Sequence, residues 1–131
     1  RHKDPLDRVL GYIDFRRALL TGEVRQFTCL AGTMVQEVYD SHPAIREACD
    51  AAISGHAATL EADIAEAKKL YAPHGKWTAE SLALHTQAVL QGAFILAKAK
   101  ASADIAIASV DHLRRYVELL FESQPKERKV P

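Results

Sequence analysis

The chain has 131 residues, 48% of them hydrophobic and 26% charged, which is typical of one globular domain. Its 17 basic residues are balanced by 17 acidic ones, which argues against a protein that grips nucleic acid through a basic surface. The longest strictly apolar run, Ala93–Ala97, is far shorter than the ~20 residues of a membrane-spanning helix, and no pair of cysteines forms a Cys-x-x-Cys zinc motif.

The first two predicted helices lie in the N-terminal third of the chain. Asp4–Pro5 is a typical helix start, because Asp accepts from free amides of the first turn and Pro loses no hydrogen bond there. We predict a first helix from this point to about Leu20, ended by Thr21–Gly22, where glycine can adopt the left-handed cap. A second helix is predicted over Phe27–Tyr39, with apolar residues spaced four apart.

The third predicted helix is long and runs from Pro43 to about Tyr71. Pro43 disfavours helical geometry at the residue before it and suits a first turn itself. Apolar residues recur at helical spacing and predict one buried seam. Its members are Ile45, Cys49, Ile53, His56, Leu60, Ile64, Ala67 and Tyr71.

Two further helices complete an all-α, five-helix domain over residues 1–131. The fourth is predicted over Thr78–Lys100, with Thr78 as its N-cap, and it is apolar on two faces, so it needs neighbours on both sides. The fifth begins near Ser102 or Asp104 and ends at Gln124–Pro125, and a charged tail follows. The scarcity of Gly (6) and Pro (5) agrees with helices, since strands joined by turns need more of both.

Four segments carry a resemblance to a known family. Leu90–Lys100 and Ser109–Phe121 are similar to the closing helix pair of TetR-family (AcrR-type) transcription regulators, and Cys29–Glu37 and His42–Arg46 resemble the middle helices of the same regulatory domain. The resemblance implies a C-terminal domain that dimerises and senses a small molecule, while an N-terminal helix-turn-helix binds operator DNA. No short basic helix pair precedes Asp4, so we expect that DNA-binding domain upstream of residue 1.

The family resemblance also implies a homodimer in which the last two helices of each copy form a four-helix bundle. Gly92 lies within the two-faced fourth helix and costs about 1 kcal/mol there, which close approach of another helix could offset. The expected interface residues are Leu84, Ala88, Gln91, Gly92, Ile95, Val110, Leu113, Val117 and Leu120.

The family places its ligand among the helices ahead of the dimer pair. The candidate lining residues here are Thr33, Met34, Cys49, His56, His85 and Val89. Such a mixture of apolar and polar groups suits a small, largely apolar ligand with one or two hydrogen-bonding groups. His56 and His85 are expected to face a common interior, as polar anchors of this pocket or as core histidines satisfied by their neighbours. The alternative function is of a different class: the chain would be a small helical-bundle metal carrier or enzyme that uses His56 and His85.

The sequence gives no sign of catalysis. It contains no Gly-x-Ser-x-Gly elbow, no glycine-rich phosphate loop and no His-Glu-x-x-His motif. We therefore expect no cofactor, no metal and no membrane partner. The function that follows from the resemblance is that of a bacterial, cytoplasmic regulator, a repressor whose ligand shifts its affinity for the operator.

Overall fold

The computed structural model describes residues 3–21 and 29–122, and within them it contains five α-helices and no strand. The helices are α1 (Pro5–Ala18), α2 (Leu30–Val38), α3 (Pro43–Tyr71), α4 (Ala79–Lys100) and α5 (Asp104–Glu122). The prediction of an all-α, five-helix domain is thereby confirmed. The predicted cap at Gly22, the start of the second helix at Phe27 and the end of the fifth at Gln124–Pro125 lie outside the described residues.

Side chains cap the starts of two helices as the sequence predicts. The Asp4 carboxylate accepts from the backbone N–H of Leu6 at 2.8 Å and of Asp7 at 3.4 Å, and Pro5 follows as the first helical residue. The Thr78 hydroxyl accepts from the N–H of Ser81 at 3.1 Å at the start of α4. These bonds satisfy amide groups that the first turn of a helix leaves without an intrahelical partner.

The helix α3 is central to the domain, since each of the other four helices packs against it. The core around it contains Ile64 and Ala67 of α3, Leu90 of α4, Val110 and Val117 of α5, and Val9 and Ile13 of α1. Full burial of aliphatic side chains of this size contributes about 1.5–3 kcal/mol each before entropy costs. The apolar core is therefore the main source of stability.

The buried seam of α3 differs from the predicted one at His56 and at Tyr71, which is also exposed at the end of the helix. The His56 imidazole is exposed, whereas Ala57 beside it is buried together with Leu60 and Ile64. Successive residues of an α-helix are about 100° apart around its axis. Near residues 56 and 57, the neighbouring helices cover only a narrow face of α3, and Ala57 lies on that face.

Ion pairs join α1 to helices on both of its sides. Arg8 binds Asp63 of α3 at 2.8 Å, Arg17 binds Asp111 of α5 at 2.6 Å, and Arg114 of α5 binds Asp14 at 2.8 Å. The pairs of Arg17 and Arg114 are solvent-exposed and contribute about 0–1 kcal/mol each, whereas Arg8 and Asp63 are both largely buried. The exposed pairs fix the orientation of α1 more than they stabilise the fold.

The Asp4 cap at the start of α1 makes the stability of the fold depend on pH. The hydroxyl of Tyr71, at the far end of α3, donates to the Asp4 carboxylate. This bond is the largest cause that lowers the pKa of Asp4 below its ordinary value; partial desolvation opposes it, and the amides of Leu6 and Asp7 add to it. A carboxyl whose pKa is lower in the folded state stabilises the fold above its unfolded pKa, and that contribution is lost as the pH falls through the folded pKa.

We predict that Asp4→Asn reduces the dependence of stability on acid. Asn remains a good N-cap but has no charge to lose, so its free energy of unfolding should fall less between about pH 5 and pH 3 than that of the wild type. Urea unfolding at several pH values measures both slopes. Asp40→Asn, in the exposed turn between α2 and α3, is the control and should keep the wild-type slope. Equal slopes for Asp4→Asn and the wild type would contradict the prediction.

Candidate ligand site and dimer face

The six residues predicted to line a ligand pocket differ in exposure. Cys49 is buried, Met34 and Val89 are half-buried, and Thr33, His56 and His85 are exposed. Because both imidazoles lie at the surface, the expectation that His56 and His85 face a common interior is wrong. In the described part of the chain no three His, Cys, Asp or Glu side chains are grouped so that they could hold a metal ion.

His85 and Val89 belong to a surface groove between α4 and α5. The groove has a volume of about 330 Å³ and is lined by His85, Val89, Ser109, His112, Leu113 and Tyr116. The rings of His85 and Tyr116 meet edge to face, with their centroids 5.6 Å apart. This pair therefore lies on the outer side of the last two helices, the side on which the resemblance places the dimer partner.

The outer face of α4 is apolar and carries no formal charge. Between Glu80 and Lys98 the helix has no Asp, Glu, Lys or Arg. Leu84 is 44% exposed and Ile95 is 47% exposed. The predicted interface positions Ala88 (exposed) and Gly92 (half-buried) lie on α4 as well. Gln91, also predicted at the interface, does not belong to this face, because its side chain lies against Gly32 of α2. No atom outside the local backbone lies within 4 Å of the position that a Cβ of Gly92 would take.

The structure corrects the predicted interface positions on α5. Val110, Leu113 and Val117 are buried in the core of their own chain, and Leu120 is half-buried. An amphipathic helix turns its strongest apolar stripe towards its own core, so the three buried residues do not form an outer face. The exposed residues of α5 include His112, Arg115, Tyr116 and Leu119, the last of them 52% exposed. Their mixed polarity gives a weaker periodic signal in the sequence.

A polar cluster between α1 and α4 has no counterpart in the sequence-based predictions. We call Tyr12, Arg16, Gln87 and Phe94 the Arg16 cluster. The Tyr12 hydroxyl accepts from Arg16 Nη1 at 2.9 Å and from Gln87 Nε2 at 3.0 Å. The Arg16 guanidinium carbon lies 5.8 Å from the ring centroid of Tyr12 and 5.9 Å from that of Phe94. Gln87 is 4% exposed and Phe94 is 6% exposed, so the cluster reaches into the domain.

The electrostatics of this cluster are unusual for the molecule. Arg8, Arg17 and Arg114 are each paired with a carboxylate, whereas half-buried Arg16 has no acidic partner among residues 3–21 and 29–122. Two aromatic rings stabilise a cation by about 0.5–2 kcal/mol in such a position. Sequence analysis missed the cluster because an arginine beside another arginine in a polar stretch is typical of a solvated helix face.

Comparisons with known proteins agree with the helical architecture. Residues 5–108 match the family model described as "Transcriptional regulator LmrA/YxaF-like, C-terminal domain". No curated protein and no solved structure shows a significant match. In the part of the chain that the structure describes, no helix is both long enough and apolar enough to cross a membrane.

We predict that Tyr12→Phe destabilises the domain by about 1–3 kcal/mol, because it leaves the buried Gln87 amide without its acceptor. Urea unfolding monitored by circular dichroism measures the change in the free energy of unfolding. The control is Tyr39→Phe, at a residue that is 62% exposed, which should change stability by less than about 0.5 kcal/mol. An equal effect of the two substitutions would show that the Tyr12 hydroxyl has no structural role.

Proposed function

The chain belongs to the TetR family of transcriptional regulators through its C-terminal domain, and from that membership we propose that it is the dimerising, ligand-sensing part of a repressor. In this proposal the protein forms a homodimer, and occupancy by a small ligand changes the operator affinity of an N-terminal DNA-binding domain. The role is regulatory and not enzymatic, and it is exercised in the bacterial cytoplasm, where operator DNA is found.

The charge-free outer face of α4 is the observation that supports the dimer. A run of 17 residues without a formal charge, with Leu84, Ile95 and Leu96 all more than 40% exposed, is unusual for a surface helix, which normally carries charged residues on its outer side. Exposed apolar patches of this kind mark interaction sites. Two copies of α4 and α5 related by a two-fold axis would bury this face in a four-helix bundle.

The position of α4 in the domain supports the proposed ligand sensing. Its inner face contains Gln87, Leu90 and Phe94, which pack inside the chain, and its outer face would contact the partner. A ligand that binds better to one arrangement of these helices shifts the population towards it. The spacing of two DNA-binding domains must match half-sites about 34 Å apart, one turn of DNA. A ligand-favoured arrangement with another spacing would lower operator affinity.

We predict that the unmodified chain is a dimer and that Ile95→Glu makes it a monomer, since the substitution would bury a charge in an apolar interface. Sedimentation velocity measures the mass, and circular dichroism confirms that the variant is folded. Leu70→Glu, at a residue of α3 that is 64% exposed, is the matched control and should remain dimeric. A monomeric wild type, or a dimeric Ile95→Glu, would overturn the proposed interface.

We also predict that these 131 residues alone do not bind duplex DNA at physiological salt. Their 17 basic and 17 acidic residues leave no excess positive charge to displace counterions from phosphates. An electrophoretic mobility-shift assay with the operator region tests this expectation. Specific retardation of the operator by this chain alone would show that the C-terminal domain itself binds DNA.

A further inference from the structure

The half-buried Arg16 guanidinium has no acidic counter-charge in the part of the chain that the structure describes. It is half-buried, and one of its N–H groups donates to Tyr12, but no carboxylate of the described residues pairs with it. An arginine cannot shed its charge in response to burial, and charged groups taken out of water are normally paired. Among residues 3–21 and 29–122, the remaining donors of the guanidinium are therefore left for a bound anion.

A second donor of the cluster is also available. The Tyr12 oxygen accepts two hydrogen bonds, from Arg16 and from Gln87, which occupies its lone pairs and leaves its own proton to donate. No described residue accepts that proton. A carboxylate has two acceptor oxygens in one plane, which matches an arginine fork together with a neighbouring hydroxyl.

The surroundings of these donors are aromatic. The rings of Tyr12 and Phe94 both lie within 6 Å of the guanidinium carbon. The ring of Phe94 is buried, whereas that of Tyr12 is half-buried and offers a surface on which a flat apolar group can stack. The Arg16 cluster thus combines a cation, a hydroxyl donor and an accessible aromatic ring at one place between α1 and α4.

We propose that the Arg16 cluster binds the acid group of the ligand, and that the ligand is a small aromatic carboxylate. The inference rests on the proposed ligand-sensing function and names the chemical class of that ligand. It replaces the expectation of a largely apolar ligand anchored near His56 and His85. Because α4 carries Gln87 and Phe94 on one side and the proposed dimer face on the other, such a ligand would contact the helix that joins the two sites.

The test compares two probes of the same shape that differ in charge. Isothermal titration calorimetry of the 131-residue chain is done with 2-naphthoate and with neutral 2-naphthalenemethanol. The wild type should bind the acid roughly tenfold or more tightly than the alcohol, as expected for hydrogen bonds to a charged group. Arg16→Gln should bring the two affinities together, and Arg16→Lys should keep part of the preference for the acid.

Arg115→Gln is the matched control. Arg115 is an exposed residue on α5, and its replacement removes the same formal charge, so any general attraction of anions falls equally. This variant should keep the wild-type preference for the acid. In the absence of ligand, Arg16→Gln should melt no lower than the wild type, because it removes a partly buried charge that has no counter-charge.

Three results would overturn the inference: equal affinity of the wild type for both probes, no binding of 2-naphthoate, or a preference for the acid that survives in Arg16→Gln. A lowered melting temperature of Arg16→Gln with an unchanged preference would assign Arg16 a purely structural role. Sedimentation velocity of the same samples distinguishes a failure of the ligand inference from a failure of the proposed function. A dimer that does not prefer the acid refutes only the ligand class, whereas a monomer refutes the proposed dimeric sensor.

Discussion

Burial of the inner face of α3 is the constraint on which the rest of the domain depends. This helix has 29 residues, and the other four helices all pack against it. Small and branched residues such as Ala57, Ala67 and Ile64 form its buried face, and the alanines let neighbouring helices approach closely. Interiors are packed about as densely as organic crystals, so this face sets where each neighbour can lie. The positions of α1 and α4 follow from it.

The helix α4 connects the two proposed functional surfaces. Its inner side fills the core with Leu90 and brings Gln87 and Phe94 to the Arg16 cluster, while its outer side presents an apolar face without formal charge. A packed helix moves largely as a unit because interiors resist gradual deformation. A ligand that shifts one side of α4 would therefore change the geometry of the other side. This coupling requires no flexible element between the two surfaces.

The binding site proposed at the Arg16 cluster would lower the stability of the domain that holds it. An arginine without an acidic partner costs desolvation free energy that hydrogen bonds and aromatic rings offset only in part. The other half-buried arginines of the described residues are paired, Arg8 with Asp63 and Arg114 with Asp14. In the proposed role the unpaired Arg16 serves binding, since functional sites commonly reduce stability.

The sequence by itself determined the helices of this protein, because caps and periodicity are local. Asp4–Pro5, Pro43 and Thr78 mark helix starts through bonds and backbone angles within a few residues. Only the tertiary structure decided what covers each apolar face, since that depends on which helices lie beside it. Val110 and Val117 therefore lie in the core, whereas the sequence suggested an interface, and His56 lies at the surface. The Arg16 cluster joins residues 75 positions apart, Tyr12 and Gln87, and no local pattern encodes such a contact.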